Sequence, residues 1–188
     1  MYRVITVEDR IRVAPEKLNV DVREAVKASI GDQIEGILDP RLGVVLAVIS
    51  IEAVGEGKIV AGNPGVFYMT TFKLLTYKPE LQEIVNGVVI DNTEFGSFVR
   101  IGPMDGLIHI SQLMDDFVSY DSKNSVFLGK ESKRTLKEKD LVRAKIISVS
   151  FGKEDNKDNK IGLTMRQSGL GSIAWLAEEK RKQKKGKE

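Results

Sequence analysis

The chain has 188 residues, 41% hydrophobic and 30% charged, with 29 Lys/Arg against 27 Asp/Glu and no cysteine. That size and apolar fraction suit one medium domain or two small ones. The absence of cysteine excludes disulfides and thiolate metal sites, and fits a reducing cytoplasmic setting.

No run of about 18 apolar residues is present, so no spanning helix and no membrane partner are expected. The start MYRVITVEDRIRV carries acidic residues where a secretory signal needs an apolar stretch. The first 80 residues hold 10 Lys/Arg and 11 Asp/Glu, and the remainder 19 and 16. Any affinity for nucleic acid must therefore rest on a local face and weaken with salt.

In chain order, the β-branched stretch Tyr2–Val13 predicts a strand, and Pro15 a turn. Asn19 is the expected helix N-cap. After it Val22, Val26, Ile30 and Ile34 repeat every fourth residue in line with Leu18, and Ala25 and Ile37 lie beside them. This is one apolar ridge of an amphipathic helix that ends near Gly36. Asp39-Pro40 breaks it. A strand over Val44–Val54, buried on both faces, a turn at Gly55–Gly57, a short strand Lys58–Ala61, a turn at Asn63–Gly65 and a long strand Val66–Tyr77 follow. The order predicts a small α+β domain, an antiparallel sheet with one main helix, over residues 1–79.

Pro79 marks the junction, and residues 80–188 follow another pattern. Short strands are expected at Ile84–Asp91, Phe95–Ile101, Leu107–Ser111, Leu141–Ser150 and Lys160–Arg166, with Gly87 and Gly96 inside them. Five antiparallel strands bent at glycines predict an all-β OB barrel. The excursion Gln112–Asp140 reads as an insertion, with a hairpin over Val126–Leu136 around Gly129–Ser132. Ser168–Lys182 reads as a loop and C-terminal helix, and the run EEKRKQKKGKE as its solvated end.

Strand alternation sorts the barrel side chains. Val99, Ile101, Ile108, Ile110, Val142, Ala144 and Ile146 are expected inside; Phe98, Arg100, His109, Arg143 and Lys145 are expected outside. An outward aromatic and an imidazole beside three cations suit unpaired bases and phosphates. Phe95 has the wrong parity, which a bulge at Gly96 would repair. Alternation alone leaves open whether Phe98 is a stacking platform or is covered by the insertion, and whether His109 is only a hydrogen-bonded structural imidazole. A single histidine without cysteine supplies no metal set, and neither Ser97 nor Ser111 has the glycine framing of a nucleophile elbow. No cofactor is expected.

The stretch GVVIDNTEFGSFVRIGPMDGLIHISQL resembles the RNA-binding barrel named from ribosomal protein S1. The matching positions are Gly87, Val89, Phe95, Gly96, Phe98, Val99, Asp105, Gly106, Leu107, His109, Ile110 and Ser111. That resemblance implies that Phe95, Phe98 and His109 face RNA, joined by Arg143, Lys145 and Arg166. Translation factors, exosome subunits and nucleases carry the same barrel, so it leaves the function open.

The first half is similar to the E-prime stalk component of archaeal RNA polymerase and its counterpart, the seventh-largest subunit of eukaryotic RNA polymerase II. Asp39, Pro40, Gly43, Gly55–Gly57, the strand Val66–Tyr77 and the barrel motif carry the likeness, which runs from Tyr2 to the region of Trp175. It implies a non-catalytic subunit that forms a heterodimer with the smaller F component of the stalk, docks on the polymerase core and meets single-stranded nascent RNA. The loop Leu38, Asp39, Pro40, Arg41, Leu42, Gly43 is the expected docking tip, stiffened by its proline. Phe67, Met69, Phe72 and Leu74 offer more apolar surface than one helix covers, and are expected at the partner interface. Other readings are an RNA-binding translation or RNA-decay factor with a different first domain, and a nuclease, which would need acidic residues converging on a metal.

Overall fold

The β-branched stretch at the start forms β1 (Tyr2–Val13) in a computed structural model that describes residues 1–151 and 160–185. The chain divides into two units, Met1–Lys78 and Pro79–Glu188. The last three residues of the basic tail lie outside the described residues.

In the first unit β1 is followed by α1 (Val22–Ile34), β2 (Leu38–Asp39), β3 (Gly43–Val60) and β4 (Asn63–Tyr77). The sheet order is β1-β4-β3-β2, antiparallel throughout. The helix begins two residues later than the sequence suggests: Asp21, not Asn19, caps it, its carboxylate accepting from the Arg23 N–H at 3.0 Å. Leu18 and Val22 stay exposed, and the buried face is Ala25, Val26, Ser29 and Ile30. That face packs on Ile11, Val13, Val45, Val48, Phe72 and Leu74.

β3 departs most from expectation. It runs unbroken through Gly55–Gly57, where a turn is predicted, and it is not buried on both faces. Against β4 it slips one residue at Val45/Ala47, Val48/Ser50, Ile51/Ala53 and Val54/Gly57. Three residues of β3 thus span two of β4, a repeated bulge that coils the strand. The β3 residues that face the core are accordingly Val45, Val48, Ile51 and Val54, spaced by three, not two. One bulge donor is satisfied from outside the ladder, Val48 N–H donating to the Glu35 carboxylate at 3.0 Å. The chain reverses at Ala61-Gly62, not Asn63–Gly65, because Gly62 supplies the left-handed φ of 81° between the paired Val60 and Asn63.

The strand parity of β4 corrects the partner-interface expectation. Phe72 and Leu74 face α1 and are 0% and 1% exposed, so they form the domain core and no open patch. Phe67 is also buried, under the Arg10 guanidinium 5.1 Å from its ring centre. Of the four, only Met69 lies open, on the face away from the helix. That face also carries Val4, Leu75 and Ala47, aligned across three strands.

The second unit contains β5 (Ile84–Thr93), β6 (Gly96–Ile101), β7 (Met104–His109), β11 (Leu141–Ser150) and β12 (Lys160–Thr164), a closed five-stranded barrel. Four pairings are antiparallel, but the closing pair β7–β12 is parallel, with Gly162 opposite Leu107 and Leu163 opposite Ile108. Val99, Ile101, Ile108, Val142, Ala144 and Ile146 fill the interior as alternation requires. Ile110 does not: β7 ends at His109, and Ile110 starts a short 3-10 turn, half-buried.

The insertion forms its own sheet, β8 (Val118–Asp121), β9 (Val126–Gly129) and β10 (Thr135–Leu136), adding one strand to the predicted hairpin. Buried Asn92 ties it to the barrel, donating to the carbonyls of Ser125 (2.9 Å) and Leu136 (3.3 Å). Beyond the barrel, β13 (Gly171–Ser172) pairs with β11 and leads into α2 (Ile173–Lys185), anchored by buried Trp175.

The parity of β4 yields a test by chemical denaturation of single variants. Phe72→Ala should cost about 3–5 kcal/mol, as emptying an aromatic core site does. Met69→Ser should change stability by no more than about 0.5 kcal/mol. Equal effects would contradict the assignment of faces.

Candidate nucleic-acid interface

A groove of about 660 Å³ lies over β6, β7, β11 and β12 of the barrel. Phe98 and His109, both expected to face outward, line it. Leu107, Ile147, Ile161 and Leu163 give it an apolar floor, and Lys160 adds the cation. Apolar walls with aromatic faces and a cation are what unstacked bases on a phosphate backbone need.

Each aromatic element is held by local backbone geometry. Phe95 sits in the two-residue turn between the paired Thr93 and Gly96, so strand parity does not govern it and no bulge is required. Its ring is half exposed and meets Phe98 edge-on, with centroids 5.9 Å apart and planes at 90°. Gly96 lets β6 and β7 approach closely beside this pair: a Cβ there would lie 2.3 Å from the Ile108 carbonyl oxygen. His109 caps the 3-10 turn, its Nδ1 accepting from Ser111 N–H at 3.3 Å and lying 2.9 Å from Ser111 Oγ. With Nδ1 serving as acceptor, the ring proton belongs on Nε2. That nitrogen is the donor left for a ligand.

The predicted cations behave differently. Arg100 reaches across to its cross-strand partner Asp105, Nε to Oδ1 at 2.9 Å and Nη2 to Oδ2 at 3.2 Å. It braces β6 against β7 and is absent from the groove lining. Arg143 and Lys145 also lie off the groove, Arg143 donating to Asn86 (3.3 Å) and Lys145 to Gln167 (3.4 Å). Arg166 pairs with Asp115 at 2.7 Å, outside the groove as well.

Sequence reasoning missed Lys160 and Ile147. The parallel closure sets β12 beside β7, and a register slip between Ile146 and Ser148 leaves Ile147 exposed. Neither event has a local signature, although the outward apolar Ile147 was a hint. The insertion leaves the groove open, since Gln112 at its first position is the only insertion residue lining it. Among the described residues no cluster of His, Asp or Glu suits a metal.

The residues expected to form a docking tip make a tight turn in the first unit. Leu38 pairs with Val44 and Asp39 with Gly43, while the Asp39 carboxylate accepts from the N–H groups of Arg41 (2.7 Å) and Leu42 (3.3 Å). The Arg41 backbone bond, aided by its side chain, holds the Asp39 carboxyl below its ordinary pKa. Pro40 and the Arg41 side chain project into solvent.

The second unit, then, is a barrel of the OB type whose aromatic groove is open among the described residues, and comparison with known proteins agrees on the fold. Residues 78–166 match the S1 RNA binding domain, and residues 8–64 match the SHS2 domain found in the N terminus of Rpb7p and Rpc25p. The chain is 34% identical over 181 residues to DNA-directed RNA polymerase subunit Rpo7 of Saccharolobus shibatae, covering 96% of this chain and 100% of that one. It is 33% identical over 179 residues to the Rpo7 of Sulfolobus acidocaldarius (95% and 97% covered). A more distant relative is the RNA polymerase II subunit rpb7 of Dictyostelium discoideum, 20% identical over 148 residues (78% and 86%). The chain belongs to the Rpo7 family of DNA-directed RNA polymerase subunits, as a non-catalytic component.

One electrostatic feature of the insertion is open to direct measurement. Asp116 accepts from Ser132 N–H, Ser132 Oγ–H and Glu131 N–H, and these bonds hold its carboxyl at about 2 instead of the ordinary 3.8. A depressed folded-state pKa means that the stabilisation is fully present above about 3.8 and is lost as pH falls towards 2. Carbon-detected NMR should show Asp116 titrating near 2. The variant Ser132→Ala should raise that midpoint towards the ordinary value; an unchanged midpoint would contradict the assigned bonds.

Proposed function

We propose that the chain is the stalk subunit of an archaeal-type RNA polymerase, cytoplasmic, pairing with the smaller F component and guiding the single-stranded transcript as it leaves the enzyme. The observation that carries the RNA role is the groove beneath Phe98 and His109, left open by the insertion. Stacking on an aromatic contributes roughly 1–3 kcal/mol per base and tolerates any sequence. Such a weak site becomes effective by tethering, because the emerging strand is supplied at high local concentration.

The first unit supplies the tether in this reading. Its turn Leu38–Gly43, braced by Asp39 and presenting Pro40 and Arg41, inserts into the polymerase core. The uncovered sheet face with Met69, Val4 and Leu75 is the surface offered to the F component. Full-length similarity to named polymerase subunits supports this assignment over a translation or RNA-decay factor.

A reconstitution with tagged protein separates the two halves of the reading. Arg41→Ala with Leu42→Ala should abolish recovery of the polymerase core while leaving RNA binding intact. Phe98→Ala should keep core recovery and weaken crosslinking to the transcript about tenfold, the cost of one stacked base. Core recovery unchanged by the first variant would overturn the docking role; transcript crosslinking unchanged by the second would overturn the RNA role.

A further inference from the structure

A second cavity, about 270 Å³ and mostly polar, lies between the insertion, the segment after β12 and α2. Arg134 and Arg166 line it together with Asp115, Gln167, Trp175 and Glu179. We propose that this cleft is a phosphodiester site: it holds the backbone of the same RNA strand whose bases stack in the groove. The inference rests on the RNA-binding reading above and extends it from the groove to a neighbouring cleft, whose second arginine, Arg134, belongs to the insertion.

Adjacency is the first argument. Gln112 and Leu163 line the groove, while Leu113 and Met165 line the cleft. The wall between them is one hydrogen-bonded seam, Met165 N–H to the Gln112 carbonyl and Thr164 Oγ–H to Gln112 Oε1, both 2.8 Å. A strand leaving the groove over Gln112 enters the cleft directly.

Charge is the second. Two of the cations absent from the groove are found here: Arg166 is in the lining, and Lys145 touches the lining residue Gln167. On α2 the exposed Lys182 stands one turn beyond Glu179, on the helical face that turns Trp175 and Glu179 to the cleft. The two carboxylates leave the arginines with donors to spare. Asp115 Oδ1 alone takes both Nε (2.9 Å) and Nη2 (2.7 Å) of Arg166, and Glu179 Oε1 takes only Nη2 of Arg134 (2.6 Å). A guanidinium has five N–H donors, so each is oriented but not exhausted. Arg134 is also fixed over the Trp175 ring, 5.6 Å from its centre, and Trp175 Nε1 donates to the Thr135 carbonyl at 3.2 Å. Two planar donors held on a rigid wall suit phosphate oxygens better than lysines on flexible stems. Half-exposed ion pairs such as these are weak enough to yield one partner to an incoming phosphate.

The test measures affinity of the full chain for a single-stranded oligouridylate across a salt series. Arg134→Gln with Arg166→Gln should flatten the slope of log affinity against log salt by about 1.4, two contacts at about 0.7 each. Phe98→Ala should lower affinity with the slope unchanged. Since Arg134 braces α2, Arg166→Gln alone is the second variant, expected to flatten the slope by about 0.7 while sparing the Trp175 contact. Wild-type slopes in both arginine variants, with Phe98→Ala still impaired, overturn the cleft and leave the groove standing. Failure of the unaltered protein to bind the oligouridylate overturns the RNA reading itself.

Discussion

Closure of the barrel by the parallel pair β7–β12 is the constraint on which the second unit depends. It sets Gly162 against Leu107 and Leu163 against Ile108, far apart in sequence, and so brings the two walls of the groove together. The same closure aligns Gln112 with Thr164 and Met165, the seam on which both groove and cleft border. Apolar residues behind it, Ile108 and Leu163 among them, are fully buried, so the surface geometry is inherited from the core. A binding face built on packed strands keeps its shape before any ligand arrives, which limits the ordering cost on binding.

A division of labour follows from the strand faces. Aromatic surface and the histidine collect over β6 and β7, while Arg134 and Arg166 line the cleft between the insertion, the segment after β12 and α2. Arg100 takes no part in either, because Asp105 across the ladder claims it. In the first unit the repeated bulge of β3 plays a comparable organising role. It coils the sheet round α1 and places Val45, Val48, Ile51 and Val54 on one buried face. The opposite face is left with Met69 and Val4 exposed.

Much of this was legible in the residues. The two units, the helix, the five barrel strands and the outward placement of Phe98 and His109 follow from alternation and from glycine and proline positions. What escaped depended on pairing between distant segments. Val45, Val48, Ile51 and Val54 recur at every third residue, a period belonging to neither an ideal strand nor an ideal helix, and only the register against β4 explains it. Phe72 and Leu74 were misplaced because an apolar strand does not declare which face the helix covers. Lys160 and Ile147 were missed since a barrel's closing pair and its bulge leave no local mark, and Phe95 seemed to need a bulge only because turn residues escape parity altogether.

The central claim is that the open groove of the barrel is the RNA-contacting surface. Chemical-shift mapping of the labelled full chain during titration with a short single-stranded RNA tests it most directly. The account predicts the largest changes at Phe98, Leu107, His109 and Ile147, the residues lining the groove. Changes confined to the first unit, Met1–Lys78, with those four resonances unmoved, would contradict it.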